Sequence, residues 1–149
     1  MGGTRNRRRT ETGAAAVEFA LVMLPVVVLL FGLVQYGFYF WAMQGGSDVA
    51  RGAARLGAVG QPATCAAFRA DVQSQVQGLV ASGTTPTIQR TYVKQNGSTV
   101  SIGDTVEVTV TFKSVDLHFP FIPFIHDGQV TARAEARVDF VPSQPETCA

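Results

Sequence analysis

The chain has 149 residues, of which 46% are hydrophobic, and a formal net charge of +1 at pH 7. This length is enough for one modest domain together with a membrane anchor. A nearly neutral chain lacks the strongly basic surface of a nucleic-acid-binding protein, so we expect no nucleic-acid partner.

A basic segment opens the chain, and a long uncharged segment follows it. Arg5, Arg7, Arg8 and Arg9 precede residues 19–43, which contain no Asp, Glu, Lys, Arg or His. As a helix rising about 1.5 Å per residue, this stretch is longer than the hydrocarbon core of a bilayer, roughly 30 Å. Because Lys and Arg are enriched on the cytoplasmic side, the arginines predict a single-pass helix with a cytoplasmic N-terminus.

The apolar segment is too long for a cleavable secretory signal, which carries about 7–15 apolar residues. It runs on into Tyr36, Tyr39 and Trp41, which predict an aromatic belt at the outer membrane face. The pair Gly45-Gly46 predicts a break or bend in the helix just outside the membrane.

A glycine and a glutamate stand five positions apart where the apolar segment begins. In GAAAVEF, Ala14 follows Gly13 and Phe19 follows Glu18. A charge at the hydrocarbon edge is costly alone, so Glu18 is expected to have a partner. The alternative is that Glu18 lies in the headgroup region without a partner.

These features resemble the type IV prepilin processing signal, which combines a basic segment, a glycine, a glutamate and an unbroken apolar helix. GAAAVEFALVMLPVVVLLFGLVQYGFYF, followed by GGSDVARGAARLGAVG, is similar to the TadE-like family. Members of that family are minor pilins or pseudopilins of the bacterial tight-adherence (Tad or Flp) pilus. The resemblance covers roughly residues 13–58. It implies cleavage after Gly13 by a prepilin peptidase, with Ala14 as the new N-terminus and Glu18 as the fifth residue. The new amine at Ala14 and the Glu18 carboxylate would share one helix face, because they are four residues apart. The resemblance also implies that Glu18 sets the register of packed subunits by charge pairing.

The resemblance implies a structural role in assembly of an adhesive pilus. The implied partners are the prepilin peptidase, other pilin subunits, the membrane platform of the pilus machine and membrane lipid. The protein would lie in the bacterial cytoplasmic membrane and could enter the extracellular filament. The alternative is an uncleaved single-pass envelope protein whose extracytoplasmic β domain binds a partner.

No enzyme motif or cofactor-binding motif is found in the sequence. His118 and His126 have no third ligand at a useful spacing, so no metal site is expected. The interpretation is therefore a protein that is not an enzyme and needs no cofactor.

The fold class predicted is α+β: a long N-terminal transmembrane pilin-like helix, then a small extracytoplasmic domain with a helix packed on an antiparallel sheet. The predicted boundaries are a basic leader over 1–13, the transmembrane helix over 14–43, a juxtamembrane helix over 44–58 and the α+β domain over 59–149.

Helical and alternating patterns place the elements of this domain. An apolar stripe predicts a helix over about 64–81: Cys65, Phe68, Val72, Val76, Leu79 and Val80. Strict alternation predicts two half-buried strands. Their inward residues are Val106, Val108, Val110 and Phe112 in one, and Val130, Ala132, Ala134, Ala136, Val138 and Phe140 in the other. Ile88, Tyr92 and Val93 suggest a further short strand.

Cys65 and Cys148 are the two cysteines of the chain. In an oxidising compartment a bridge between them is expected, and it would tie the end of the chain to the start of a helix. The alternative is two unpaired thiols.

The segment HFPFIPFIHDG, residues 118–128, is rich in phenylalanine and proline. Pro120 and Pro123 exclude a regular central strand. The segment is either a loop folded over the open edge of the small core, or an exposed apolar patch for a pilus partner or the membrane surface.

Overall fold

The computed structural model describes residues 7–95 and 97–149, with side chains from residue 13 onward. Helix α1 (Arg7–Ala58) comes first and helix α2 (Cys65–Val76) second. The strands β1 (Thr87–Val93), β2 (Thr105–Lys113) and β3 (Gln129–Arg137) form an antiparallel sheet in the order β1-β2-β3. A short 3-10 turn, Ile125–Gly128, leads into β3. The predicted α+β class is confirmed.

Helix α1 runs without interruption through Gly45 and Gly46, so the break predicted there is wrong. Both glycines face the domain. A Cβ added at Gly45 would lie 2.7 Å from Leu79 Cδ1, and one added at Gly46 would lie 2.9 Å from Phe112 Cε1. The glycines therefore allow close packing, and the packing outweighs their low helix propensity.

The C-terminal half of α1 presents a stripe of small residues to the sheet. Its buried members recur at helical spacing: Ala42, Gly46, Ala50, Ala53, Ala54, Gly57 and Ala58. The inward side chains of β2, namely Val106, Val108, Val110 and Phe112, are buried against it. Small side chains let the helix approach the sheet closely. One unbroken helix is therefore both the apolar anchor and the element on which the sheet packs.

The sheet packs mainly on α1, whereas the sequence led us to expect α2 as its helical partner. Helix α2 lies at one side, where it contacts α1 and β1 and fully buries Phe68, Val72 and Val76. Thr64 caps its start by accepting a hydrogen bond from the Ala67 amide at 3.4 Å.

The alternation predicted for β2 and β3 is confirmed over most of its length. Residues Val106 to Phe112 pair with Val130 to Ala136 on the inward face. The strand ends at Arg137, however, and Phe140 is 59% exposed rather than inward. The Asp139 and Phe140 amides turn away and donate to Ala58 O at the end of α1.

The connection between β1 and β2 is anchored by the buried side chain of Asp104. Its carboxylate accepts from the Gln95 amide at 2.9 Å and from the Ser101 amide at 2.8 Å. These two backbone hydrogen bonds hold the pKa of Asp104 below its ordinary value. The anchored loop fixes where β2 begins.

Adding one methyl group to the small stripe tests the close approach of helix and sheet. We expect Gly46→Ala to lower the free energy of unfolding by about 1–3 kcal/mol, because the Phe112 ring must move within a packed core. Gly52→Ala is the matched control. Nothing lies within 4 Å of a Cβ at Gly52, so this change should stabilise the helix by about 0.5–1 kcal/mol.

The measurement is denaturant unfolding of the full chain in detergent, followed by near-ultraviolet circular dichroism. Equal effects of the two alanines would contradict the packing described for α1.

Candidate functional site

The residues of the predicted processing signal lie along the N-terminal part of α1. Gly13, Ala14, Glu18 and Phe19 are all exposed, and Gly13 is inside the helix rather than before it. Glycine weakens a helix by about 0.5–1 kcal/mol relative to alanine, so α1 is less stable at Gly13 than it would be with alanine there.

Glu18 makes no ion pair within residues 13–95 and 97–149, the part described with side chains. Arg7, Arg8 and Arg9 begin α1, but their side chains lie outside the described part, and all of Arg5 does. For the arginines predicted to set the membrane orientation, the structure therefore gives only the backbone positions of Arg7, Arg8 and Arg9.

Between Glu18 and the domain, α1 exposes a continuous apolar surface. Its exposed large side chains include Phe19, Leu21, Val22, Leu24, Val26, Leu29, Leu30 and Leu33. Within the described residues α1 is the one helix long and apolar enough to cross a membrane, and no residue of its most apolar window is buried. A Cβ added at Gly32 or Gly37 would meet nothing within 4 Å. The chain thus has a single-pass membrane anchor with an open surface.

The aromatic belt differs from its prediction at one position. Tyr39 is buried, with its ring edge-on to Phe124 at a centroid distance of 5.7 Å. Trp41 is exposed, and Phe38 and Phe40 are further exposed rings at this level. No local pattern in the sequence indicates that the domain covers one face of the belt.

A loop between β2 and β3, residues 115–125, runs back along α1 and is called the Phe loop below. The buried side-chain amide of Gln35 holds its first part. Its nitrogen donates to Val115 O at 3.1 Å, and its oxygen accepts from the Leu117 amide at 2.9 Å. Phe119 then stacks on Phe31, four residues nearer the N-terminus of α1, with ring centroids 4.5 Å apart.

The second half of the Phe loop returns along the same helix. Pro123 O accepts a hydrogen bond from the Tyr36 hydroxyl at 2.7 Å, and Phe124 reaches Tyr39. The loop therefore lies beside the apolar helix, with residues 120–122 as its apex. Of the two interpretations offered by the sequence, the apex matches the exposed apolar patch, since Phe121 is 92% exposed.

The two cysteines meet at the far end of the domain. Cys65, at the start of α2, and Cys148 are joined with a Cα–Cα distance of 5.5 Å. Cys148 also exchanges backbone hydrogen bonds with Arg90 of β1, at 2.9 and 2.7 Å. The tail after β3 is thus attached to both α2 and the sheet.

Arg90 is a buried charge that the sequence analysis missed. Its guanidinium lies over the Phe68 ring, 4.4 Å from the centroid. It donates to the carbonyl oxygens of Pro62, Ala63 and Glu146, at distances from 2.6 to 3.1 Å. Burial lowers the pKa of Arg90 from its ordinary value, while the Glu146 carboxylate acts in the opposite direction. The arrangement holds the tail and has no open face for a ligand.

Among the side chains of residues 13–95 and 97–149, no group of three or more His, Cys, Asp or Glu could hold a metal ion. The two histidines lie near the two ends of the Phe loop, and the segments 113–118 and 126–127 at these ends are called its neck below. His118 lies 3.6 Å from the Asp116 carboxylate, and His126 has a positive φ of 48°.

Comparison with known proteins gives one match. The family of TadE-like proteins matches residues 13–55, under a third of the chain and all of it in α1. No curated protein and no solved structure matches the chain. The family is structural and pilus-associated, and its members interact with other pilus components. Over residues 13–55 the chain is therefore TadE-like, which confirms the family predicted from the motifs around Gly13 and Glu18.

Proposed function

We propose that the protein is a minor pilin or pseudopilin of a Tad-type adhesive pilus, made as a membrane-anchored precursor and processed after Gly13. One observation carries this proposal. Gly13 and Glu18, five positions apart, lie on the exposed apolar helix that matches the TadE-like family, and that helix continues into the folded domain. An anchor and a domain joined by one helix can be pulled from the membrane as a unit.

Glu18 would set the register of α1 helices packed side by side. Its carboxylate is exposed next to Phe19 and has no ion-pair partner in residues 13–95 and 97–149. Cleavage after Gly13 would create a free amine at Ala14, one turn away in the same chain and available to a neighbouring chain. An ion pair between subunits would remove the cost of an isolated charge in an apolar bundle.

The exposed apolar face of α1 would contact lipid in the stored subunit and other helices in the filament. Gly32 and Gly37 leave open space on this helix. Small residues of this kind let membrane helices approach closely. The same surface therefore suits both states of the subunit.

The proposed orientation places the N-terminus in the cytoplasm and the sheet domain outside the cytoplasmic membrane. The positive excess at Arg5, Arg7, Arg8 and Arg9 supports it. The short distance between Cys65 and Cys148 also supports it, because disulfides persist in oxidising compartments. The partners would be a cytoplasmic-face prepilin peptidase, other pilin subunits and the membrane platform.

Glu18→Gln tests the role in assembly. The change keeps the size of the side chain and removes its charge, so we expect unchanged membrane levels and roughly tenfold less protein in sheared pili. Tenfold corresponds to about 1.4 kcal/mol of lost pairing. Asp48→Asn is the control, since Asp48 also lies on α1 and pairs only with Arg51, at 3.5 Å on an exposed surface.

The readout is the ratio of protein in the pilus fraction to protein in the membrane fraction. Equal ratios for wild type, Glu18→Gln and Asp48→Asn would favour the uncleaved envelope protein instead.

A further inference from the structure

The apex of the Phe loop exposes a large apolar side chain in a backbone conformation that does not suit it. Phe121 is 92% exposed and has a φ of +67°. This left-handed region favours Gly or Asn, and a bulky residue is an outlier there. Strained backbone conformations cluster at functional sites, so this outlier at a loop tip favours a functional role for the Phe121 side chain.

The height of the apex along α1 places it beside the membrane-spanning stretch. Phe31, the stacking partner of Phe119, is five residues nearer the N-terminus than Tyr36. At about 1.5 Å per residue, the stack lies roughly 7.5 Å below the first ring of the aromatic belt. Apolar groups of monotopic segments reach about 5–10 Å into the boundary between headgroups and acyl chains.

Three of the four positions 120–123 present no free amide hydrogen. Pro120 and Pro123 have no amide hydrogen, and the Ile122 amide donates to Phe119 O at 3.4 Å. The Pro123 carbonyl accepts from the Tyr36 hydroxyl. Each unsatisfied backbone group costs several kcal/mol in hydrocarbon, so the missing and satisfied groups lower the cost of placing this backbone near acyl chains.

The charged side chains between β2 and β3 lie at the neck of the Phe loop rather than at its apex. Asp116 accepts from the His118 amide on one side. On the other, the Lys113 ammonium contacts the Asp127 carboxylate and holds the pKa of Asp127 below its ordinary value. A charged neck above an apolar tip is the distribution that an interfacial segment needs.

An apolar groove adjoins the apex and faces outward. It is lined by Phe19, Met23, Leu24 and Val27 of α1 and by Phe121 of the loop, among others. The groove is continuous with the unburied apolar window of α1, so in a bilayer both would meet the same acyl chains.

From these observations we propose that the apex of the Phe loop inserts among the acyl chains of the outer leaflet, beside its own α1. The loop and the helix then form one membrane-contacting unit that fixes how deep the domain sits. This inference rests on the orientation given under the proposed function, in which the domain lies outside the cytoplasmic membrane.

Depth-dependent fluorescence quenching tests the insertion. The full chain carries one tryptophan, Trp41, which is replaced by phenylalanine. Into that background go Phe121→Trp at the apex, Phe140→Trp at the opposite end of the domain, and Leu24→Trp in the middle of the apolar helix. Each chain is reconstituted at low density in phosphatidylcholine vesicles with brominated acyl chains.

The proposal expects Phe121→Trp to emit at shorter wavelength than Phe140→Trp, to lose most of its emission in brominated lipid and to resist aqueous acrylamide. Phe140→Trp should show the reverse. Quenching of Leu24→Trp alone would overturn the loop insertion and leave the anchor intact. No quenching at Leu24 would overturn the anchor as well. Protection of the apex from both quenchers would also overturn the insertion, because it would mean that protein, such as a second copy, covers the apex.

Discussion

Replacing Arg90 with methionine should lower the free energy of unfolding by about 3–5 kcal/mol, the largest effect we expect from a single substitution, because several buried acceptors lose a charged donor. The change removes four hydrogen bonds to three carbonyl groups, those of Pro62, Ala63 and Glu146. It leaves those oxygens short of donors in a closed site. It also removes the cation from the Phe68 and Tyr92 rings.

Two variants separate the geometry of Arg90 from its charge. Arg90→Lys keeps a positive charge but lacks the planar fork, so it should recover only part of the loss. Arg133→Met is the surface control. Arg133 bridges Glu107 and Glu135 on the outer face and is 58% exposed, so its loss should cost about 0–1 kcal/mol. Denaturant unfolding of the full chain in detergent measures all three. Similar losses for Arg90→Met and Arg133→Met would contradict the described role.

Opening the bridge between Cys65 and Cys148 should cost about 2–5 kcal/mol, because the link spans 83 residues of sequence. Cys148→Ser and the double replacement of both cysteines by serine should be equally destabilised. Reduction of the wild type with dithiothreitol should reproduce the loss. Wild-type stability that does not respond to reductant would show that the thiols are unpaired.

The bridge and Arg90 hold the same tail, so their losses should not add. Cys148 pairs through its backbone with Arg90, and the Glu146 carboxylate accepts from the Cys65 amide at 2.7 Å. Once one attachment is lost the tail is already loosened. Arg90→Met should therefore cost less in the cysteine-free background than in the wild type.

The local features of this chain could be predicted because each depends on a short stretch of sequence. The apolar span follows from the length of an uncharged run, and β2 and β3 follow from strict alternation. The family followed from the spacing of Gly13 and Glu18 with the apolar helix behind them. Each of these patterns is set within about ten to thirty neighbouring residues.

Two errors arose where distant packing overrides a local preference. Gly45 and Gly46 were interpreted as a break or bend, yet Leu79 and Phe112 require their small size inside a continuous helix. Tyr39 was assigned to the lipid-facing belt because nothing nearby in the sequence announces that Phe124 covers it. Helix propensity is a weak prior that tertiary contacts outweigh.

Arg90 carried a signal that could have been used. It stands between Ile88 and Tyr92, so strand alternation alone places it on the inward face. Arginine is almost never fully buried unless it is paired, so alternation alone does not mark Arg90 as a core residue. The path of the Phe loop had no such signal, since Gln35 meets Val115 and Leu117 about 80 residues later in the chain.

The most direct test of the pilin assignment is the intact mass and N-terminal sequence of the protein extracted from the membranes of its own host. We expect a chain that begins at Ala14, with Glu18 as its fifth residue, when the prepilin peptidase is active. We expect the full-length chain when that peptidase is deleted. A chain that retains residues 1–13 in the presence of an active peptidase would show that the protein is not processed as a pilin.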